Sequence, residues 1–425
     1  MSKSAQPSPK SVLQRFIAAI AVVGLSACSG PPKGVLSSYQ GKAEAVPSVK
    51  MLVATTRSSK GATKGELFGG ERGRGLSFAD IQISIPPDAV RKIGEVQWPS
   101  SLPGNPARDF VATSVKVLDQ PAVLKLFHQR LKRTSHGKVI LFVHGYNTRF
   151  EEAVYRFAQI VHDSKSPALP VLFTWPSRGQ LLAYNYDRES ANYSRDALES
   201  VLQAMSKDPA VREIAILAHS MGNWVTLEAL RQMAIRDKRI AVKIKSIMLA
   251  APDVDVDVFR RQVAEMGPKR PPITLFVSQD DRALAVSRRV WGNQARVGQV
   301  DPSAEPYRSM FEKERVTVIN LTKKKSADSA NHAKFATSPE VVRLIGQRLA
   351  QGQVLSDAKS GLGERVGLVA TGAASTIGNA AGLAVSVPLA VVDGRTRESL
   401  GAQARNLSGS VGDTFGSVGG VVTGN

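Results

Sequence analysis

Ile214-Ala215-Ile216-Leu217-Ala218-His219-Ser220-Met221-Gly222-Asn223-Trp224 is the stretch that decides the fold. Four apolar residues run into a small residue, a histidine, a serine and a glycine, and the helix-like stretch 223–233 follows. That order reads as strand, sharp turn and helix, with Ser220 at the apex. Such a turn crowds its own backbone, so the positions two before and two after the serine must be small, and Ala218 and Gly222 are. A serine so placed offers its hydroxyl beside a helix N-terminus, where developing negative charge is favoured. The commoner form has glycine at both positions, and Ala218 adds one methyl group. The pentapeptide alone also fits a buried serine opening an ordinary helix, so the rest of the chain has to decide.

Outward from this turn the pattern alternates. Short apolar runs at 51–54, 81–85, 139–143, 171–175, 214–218, 247–251, 273–278 and 316–321 read as buried strands. Between the later runs lie helical segments. Thr148-x-x-Glu151 predicts a capping box for a helix through Phe157 and Ile160. Stretches 188–205 and 224–235 continue the series, and Ser338-Pro339-Glu340 opens a last helix through Leu349. Strands alternating with helices define an α/β class, here a mainly parallel sheet of about eight strands with helices on both faces. The domain is expected over 47–351, long enough for one large core.

In such sheets ligands meet the carboxyl ends of the strands. After 139–143 comes His144-Gly145-Tyr146-Asn147, whose Tyr146 N–H, with that of Met221, forms a candidate oxyanion hole. After 171–175 come Pro176-Ser177-Arg178-Gly179 and Tyr184-x-Tyr186-Asp187, which fit a pocket wall and a packed crossover equally. Two turns offer a buried acid: Pro252-Asp253, with Asp255 and Asp257 beyond it, and Gln279-Asp280-Asp281. Asp281 is preferred because it precedes the helix-like 283–290, Asp253 is the alternative and Asp280 ranks third; the acids not used would serve as N-caps. Of six histidines, His128 and His136 precede the His-Gly strand, His144 belongs to its turn and His162 ends the next helix. His219 abuts Ser220 and, on a strand, points to the other face. Only His332 follows the last strand, which makes it the candidate general base. Segments 176–190 and 294–314 are the insertions placed to cover a site.

The order Ser220, Asp281, His332 is that of α/β hydrolases. Residues 47–351 resemble that superfamily and, more narrowly, a bacterial family of uncharacterised esterase/lipase-like hydrolases. The matching stretches are Leu52-Val53-Ala54-Thr55-Thr56-Arg57, Phe142-Val143-His144-Gly145-Tyr146-Asn147, Phe173-Thr174-Trp175-Pro176-Ser177, Ala218-His219-Ser220-Met221-Gly222, Ala250-Ala251-Pro252-Asp253 and Asp281-Arg282-Ala283-Leu284. His332 falls where that family keeps a histidine. The resemblance implies hydrolase activity by a Ser-His-Asp mechanism and implies no substrate.

The ends of the chain carry other signals. Lys3, Lys10 and Arg15 precede a short apolar run, 16–25, and Leu25-Ser26-Ala27-Cys28 matches the bacterial lipoprotein box. Residues 1–27 are then a signal peptide, Cys28 the lipidated residue and 28–46 a linker. Ser29 in place of aspartate favours the outer membrane of the bacterial envelope. Cys28 is the only cysteine, so no intramolecular disulfide forms. The formal charge of +20 favours anionic lipid head groups or other acidic envelope polymers. Nucleic acid is not expected, since no basic helix with base-reading spacing and no aromatic platform is present. Residues 352–425 form a Gly/Ala/Ser-rich tail, and its uncharged part, 366–392, reads as a membrane-associated or self-associating helix. The expected whole is an envelope-anchored serine hydrolase cleaving an acyl ester without metal or organic cofactor. The rival readings are a non-catalytic envelope lipoprotein using the fold as a binding module and an acyltransferase with the same triad. Nothing in the sequence fixes the oligomeric state.

Overall fold

Strand β4 (Lys138–Val143) is buried along almost its whole length, and its side chains divide between two cores. Val139, Leu141 and Val143 pack to one side, and Ile140 and Phe142 to the other. A strand buried on both faces reads as a continuous apolar run, which is why 139–143 shows no alternation. The computed structural model describes residues 32–41, 46–60, 65–290 and 292–351. The leader, Cys28 and the segment 352–425 lie outside the described residues, as do the expectations placed on them.

The sheet has nine strands in the order β3-β2-β1-β5-β4-β6-β7-β8-β9. Strands β1 (Ser48–Ser59), β2 (Phe68–Ser84) and β3 (Val111–Leu118) pair antiparallel at one end. The rest run parallel: β5 (Leu169–Thr174), β4, β6 (Glu213–His219), β7 (Ile244–Ala250), β8 (Ile273–Val277) and β9 (Val316–Asn320). The first core holds α1 (Gln120–Leu131), α3 (Tyr184–Lys207), α4 (Gly222–Asp237) and α5 (Val256–Glu265) against one face. The second holds α2 (Phe150–Ser164) and the last described helix (Pro339–Gln351) against the other.

The ninth strand is the one the apolar runs missed. In β3 only Val111 and Ala112 are buried, so an edge strand carrying Thr113, Ser114 and Lys116 gives no apolar signal. The expected capping box also shifts by one residue. Helix α2 begins at Phe150, and the Glu152 carboxylate accepts the Arg149 N–H at 2.8 Å. Thr148 is used elsewhere: its N–H donates to Ser177 Oγ and its hydroxyl to the Tyr146 carbonyl.

Parallel pairing places the carboxyl ends of β4, β6, β7, β8 and β9 along one edge. Val143 pairs with Ala218, and His219 with Ala250, so the residues that follow these strands meet above the sheet.

Candidate active site

Ser220 sits between β6 and α4 with φ +51°, in the left-handed region that costs a non-glycine residue about 1–2 kcal/mol. Its backbone is held by a ring of hydrogen bonds that offsets this cost. The Ser220 N–H donates to the Ala250 carbonyl at 2.9 Å. The Asn223 side-chain amide donates to the carbonyls of Ser220 and Ala250 at 2.8 and 2.9 Å, and the Asp253 N–H also reaches the Ser220 carbonyl. A Cβ on Gly222 would stand 2.7 Å from the Val143 carbonyl oxygen and closer still to that of His144. Ala218, by contrast, is fully buried in the first core, and its methyl group is part of the packing.

The other sequence candidates gather at the same edge. His332 lies in the loop after β9, and its Nδ1 is 2.7 Å from Asp281 Oδ2. Asp281 is buried and its second oxygen accepts the Leu284 N–H at 2.9 Å, so both carboxylate oxygens are engaged. The Arg282 N–H donates to the Ala330 carbonyl, which fixes the histidine loop to the acid turn, and within that loop Asp328 accepts the His332 N–H. Burial by itself would lower the His332 pKa, but the neighbouring carboxylates of Asp281, Asp328 and Asp253 outweigh it and raise it above 6.5.

Asp253 is occupied differently. It accepts from Ser287 Oγ at 2.7 Å and from Tyr184 OH at 2.9 Å, and Arg296 Nε lies 3.5 Å away. Asp280 receives the buried Lys334 ammonium at 2.7 and 2.8 Å, and the same ammonium donates to the carbonyls of Leu321 and Thr322. Lys334 therefore clamps the short helix Lys334–Thr337, two residues from His332, to the β8 and β9 turns.

His219 is brought beside His332 as a backing group. Their rings stand 4.7 Å apart, the Phe335 ring lies 4.6 Å from that of His219, and His219 Nε2 is 3.2 Å from the His332 carbonyl oxygen. Burial first, and then His332, hold the His219 pKa well below 6.5. The neutral ring donates one hydrogen bond to the loop that carries the candidate base. His128 pairs with Asp208 instead, far along the chain from these turns.

Of the oxyanion candidates, Met221 is buried at the N-cap of α4, and Tyr146 follows Gly145. A Cβ on Gly145 would stand 2.8 Å from Ser220 Cβ, so only glycine lets the β4 turn come this close to the serine. The Tyr146 ring meets Tyr184 edge-on at 5.1 Å. The 176–187 stretch is a packed crossover at its start: Ser177 Oγ and the Arg178 N–H both donate to the buried Asp187 carboxylate, at 2.6 and 2.9 Å.

Arg57 and Lys334 carry roles that the sequence did not reveal. Arg57 ends the apolar part of β1 and is 1% exposed. Burial lowers its pKa to about 10, while Asp187, Glu151 and Glu152 favour the charged form, so it remains a cation at neutral pH. Among the described residues no group of three His, Cys, Asp or Glu side chains is placed to hold a metal ion, and no helix is long and apolar enough to cross a membrane. An apolar cavity of about 210 Å³ between β1, β2, α1 and α3, lined by Phe78, Val123, Phe127 and Met205, contains none of these candidates.

A parallel sheet with these turns at its carboxyl edge defines the α/β-hydrolase class. Residues 120–348 match the family described as "Alpha/beta hydrolase of unknown function (DUF900)", and the chain belongs to that family. It is 29% identical over 135 residues to the uncharacterized protein alr1448 of Nostoc sp. (strain PCC 7120); the match covers 25% of this chain and 35% of that one. The chain thus spans about a third of the length of this curated relative. Among solved structures, carboxyl esterase 2 of Tuber melanosporum aligns with TM-score 0.33 and 11% identity, covering 81% of this chain and 98% of that one. ESTFA in an Fe-lacking apo form aligns with TM-score 0.32 and 11% identity, covering 80% and 90%. Scores this low carry no weight beside the family match.

Proposed function

We propose that this α/β hydrolase is a serine hydrolase that cleaves an acyl ester through an acyl-enzyme. The observation that supports it most is the strained Ser220 turn standing at the same sheet edge as the 2.7 Å His332–Asp281 pair. In this reading Ser220 Oγ attacks the acyl carbonyl carbon while His332 Nε2 takes the hydroxyl proton. The carbonyl oxygen becomes an oxyanion met by the N–H groups of Tyr146 and Met221. The tetrahedral adduct then collapses, the ester C–O bond breaks, and His332 returns the proton to the leaving alkoxide. Water, deprotonated by the same histidine, releases the acid and restores Ser220. Asp281 holds the Nδ1–H tautomer and stabilises the imidazolium.

A panel of p-nitrophenyl esters of increasing acyl length tests this directly. Hydrolysis by the wild type, reduced at least about 10³-fold by Ser220→Ala, is expected. A folded wild type inactive on every ester, or an equally active Ser220→Ala, sinks the ester reading. Product partitioning with an added alcohol separates hydrolysis from acyl transfer.

We further propose that lipidation of Cys28 anchors the enzyme to the bacterial envelope, on the outer membrane, with its net positive charge facing anionic head groups. Cys28→Ser is expected to move the protein into the soluble fraction. Retention in the membrane fraction would contradict that anchor and turn attention to 366–392.

A further inference from the structure

His144 and Arg57 lie buried beside the candidate site and are neither nucleophile, base nor acid. Arg57 has five N–H donors, and the structure gives each an acceptor. Nε donates to Thr174 Oγ1 at 2.8 Å. One terminal nitrogen donates to the carbonyls of Gly69 and Ser177 at 2.9 and 2.8 Å. The other donates to the Thr148 carbonyl at 2.8 Å and faces His144 Nε2 at 3.3 Å. The Trp175 backbone N–H points at the same histidine nitrogen from 3.2 Å. Both groups are donors only, so His144 Nε2 must present its lone pair.

The proton of the neutral ring is then on Nδ1. Burial, followed by the Arg57 charge, keeps His144 uncharged by holding its pKa well below 6.5. Nδ1 has one acceptor, the Gly145 carbonyl oxygen at 2.8 Å. That carbonyl shares a peptide plane with the Tyr146 N–H. In a trans peptide the two point in opposite directions, so fixing one fixes the other. A hydrogen bond accepted at the carbonyl also polarises the N–H of the same amide. The Trp175 indole closes the arrangement by donating to the His144 carbonyl at 2.8 Å and stacking on the imidazole at 5.0 Å.

We propose that His144 is a positioning residue: locked as its Nδ1–H tautomer by Arg57 and the Trp175 N–H, it holds the Gly145–Tyr146 peptide so that the Tyr146 N–H faces the oxyanion. The inference rests on the serine-hydrolase reading above. It makes His144 an orienting group with a fixed proton, in contrast to His332, whose proton must move.

The tautomer is read first, in the full-length wild type, from long-range ¹H–¹⁵N spectra of histidine-labelled protein. His144 is expected to show a protonated Nδ1 and an unprotonated Nε2; the reverse overturns the proposal whatever the activity. Two substitutions then test the consequence. His144→Asn keeps an amide N–H near the Nδ1 position, and His144→Phe keeps a flat ring without a donor. His144→Phe is expected to lower kcat about 10- to 100-fold. KM is expected to stay within about twofold, and an alkyl boronic acid, which forms a tetrahedral adduct at Ser220, to lose affinity in step with kcat. His144→Asn should recover most of both. A folded His144→Phe with wild-type kcat and boronic acid affinity overturns the inference and leaves the hydrolase reading intact. A folded wild type that takes neither boronic acid nor substrate removes the hydrolase reading itself. If His144→Phe does not fold, the tautomer and the His144→Asn kinetics still decide.

Discussion

Asp281→Asn is expected to lower kcat about 10⁴-fold without unfolding the protein. The Leu284 N–H at Asp281 Oδ1 dictates the geometry of the substitution. An asparagine must keep its oxygen on that N–H, which turns its amide NH₂ towards His332 Nδ1. Two donors cannot face each other, so the imidazole proton moves to Nε2, where it blocks acceptance of the Ser220 proton. The turn itself survives because the bond to Leu284 is retained. The pH profile carries the same signature. On the proposed mechanism His332 acts as a base only when neutral, so kcat/KM of the wild type is expected to fall as pH drops through a pKa above 6.5. In Asp281→Asn the acid limb moves to lower pH because the carboxylate that raised this pKa is gone. Steady-state kinetics across pH, beside a melting curve, check both points. A larger loss at Asp253→Asn than at Asp281→Asn would transfer the acid's role to Asp253.

The largest effect on stability is expected at Asp187. Its buried carboxylate accepts Ser177 Oγ and the Arg178 and Asn147 N–H groups, and its charge does most to favour the Arg57 cation. Asp187→Leu leaves three donors without an acceptor and a buried guanidinium without its main counter-charge. Removing one partner of a buried charged network costs about 3–5 kcal/mol. Urea unfolding should show a lower midpoint with an unchanged slope. Asp187→Asn should lose less, since its oxygen still accepts hydrogen bonds. Equal stability of Asp187→Leu and wild type would show that Arg57 needs no counter-charge here.

These two aspartates mark where sequence reading reaches its limit. Asp281 was singled out by position, since it follows a strand, precedes a helix and lies between the serine and His332 in chain order, and the structure pairs it with His332. The parallel strands were legible for a similar reason, since double-sided burial leaves continuous apolar runs such as 139–143. Asp187, in the first turn of α3, and Arg57, on β1, are separated by 130 positions, and only the folded chain brings their charges near each other. No local pattern marks a charge as buried, and Arg57 looks like any polar residue closing a strand. The edge strand β3 was missed because only Val111 and Ala112 of its eight residues are buried, which leaves no continuous apolar run. Lys334 was missed for the opposite reason: a lysine beside a loop histidine reads as surface, yet four acceptors draw it into the interior.

Labelling with a fluorophosphonate probe, the adduct mapped by peptide mass spectrometry, shows whether Ser220 is an activated nucleophile served by His332. A single adduct on Ser220 is expected, lost in Ser220→Ala and strongly slowed in His332→Ala. A folded wild type that remains unlabelled, or a Ser220→Ala protein labelled to the same extent, would contradict it.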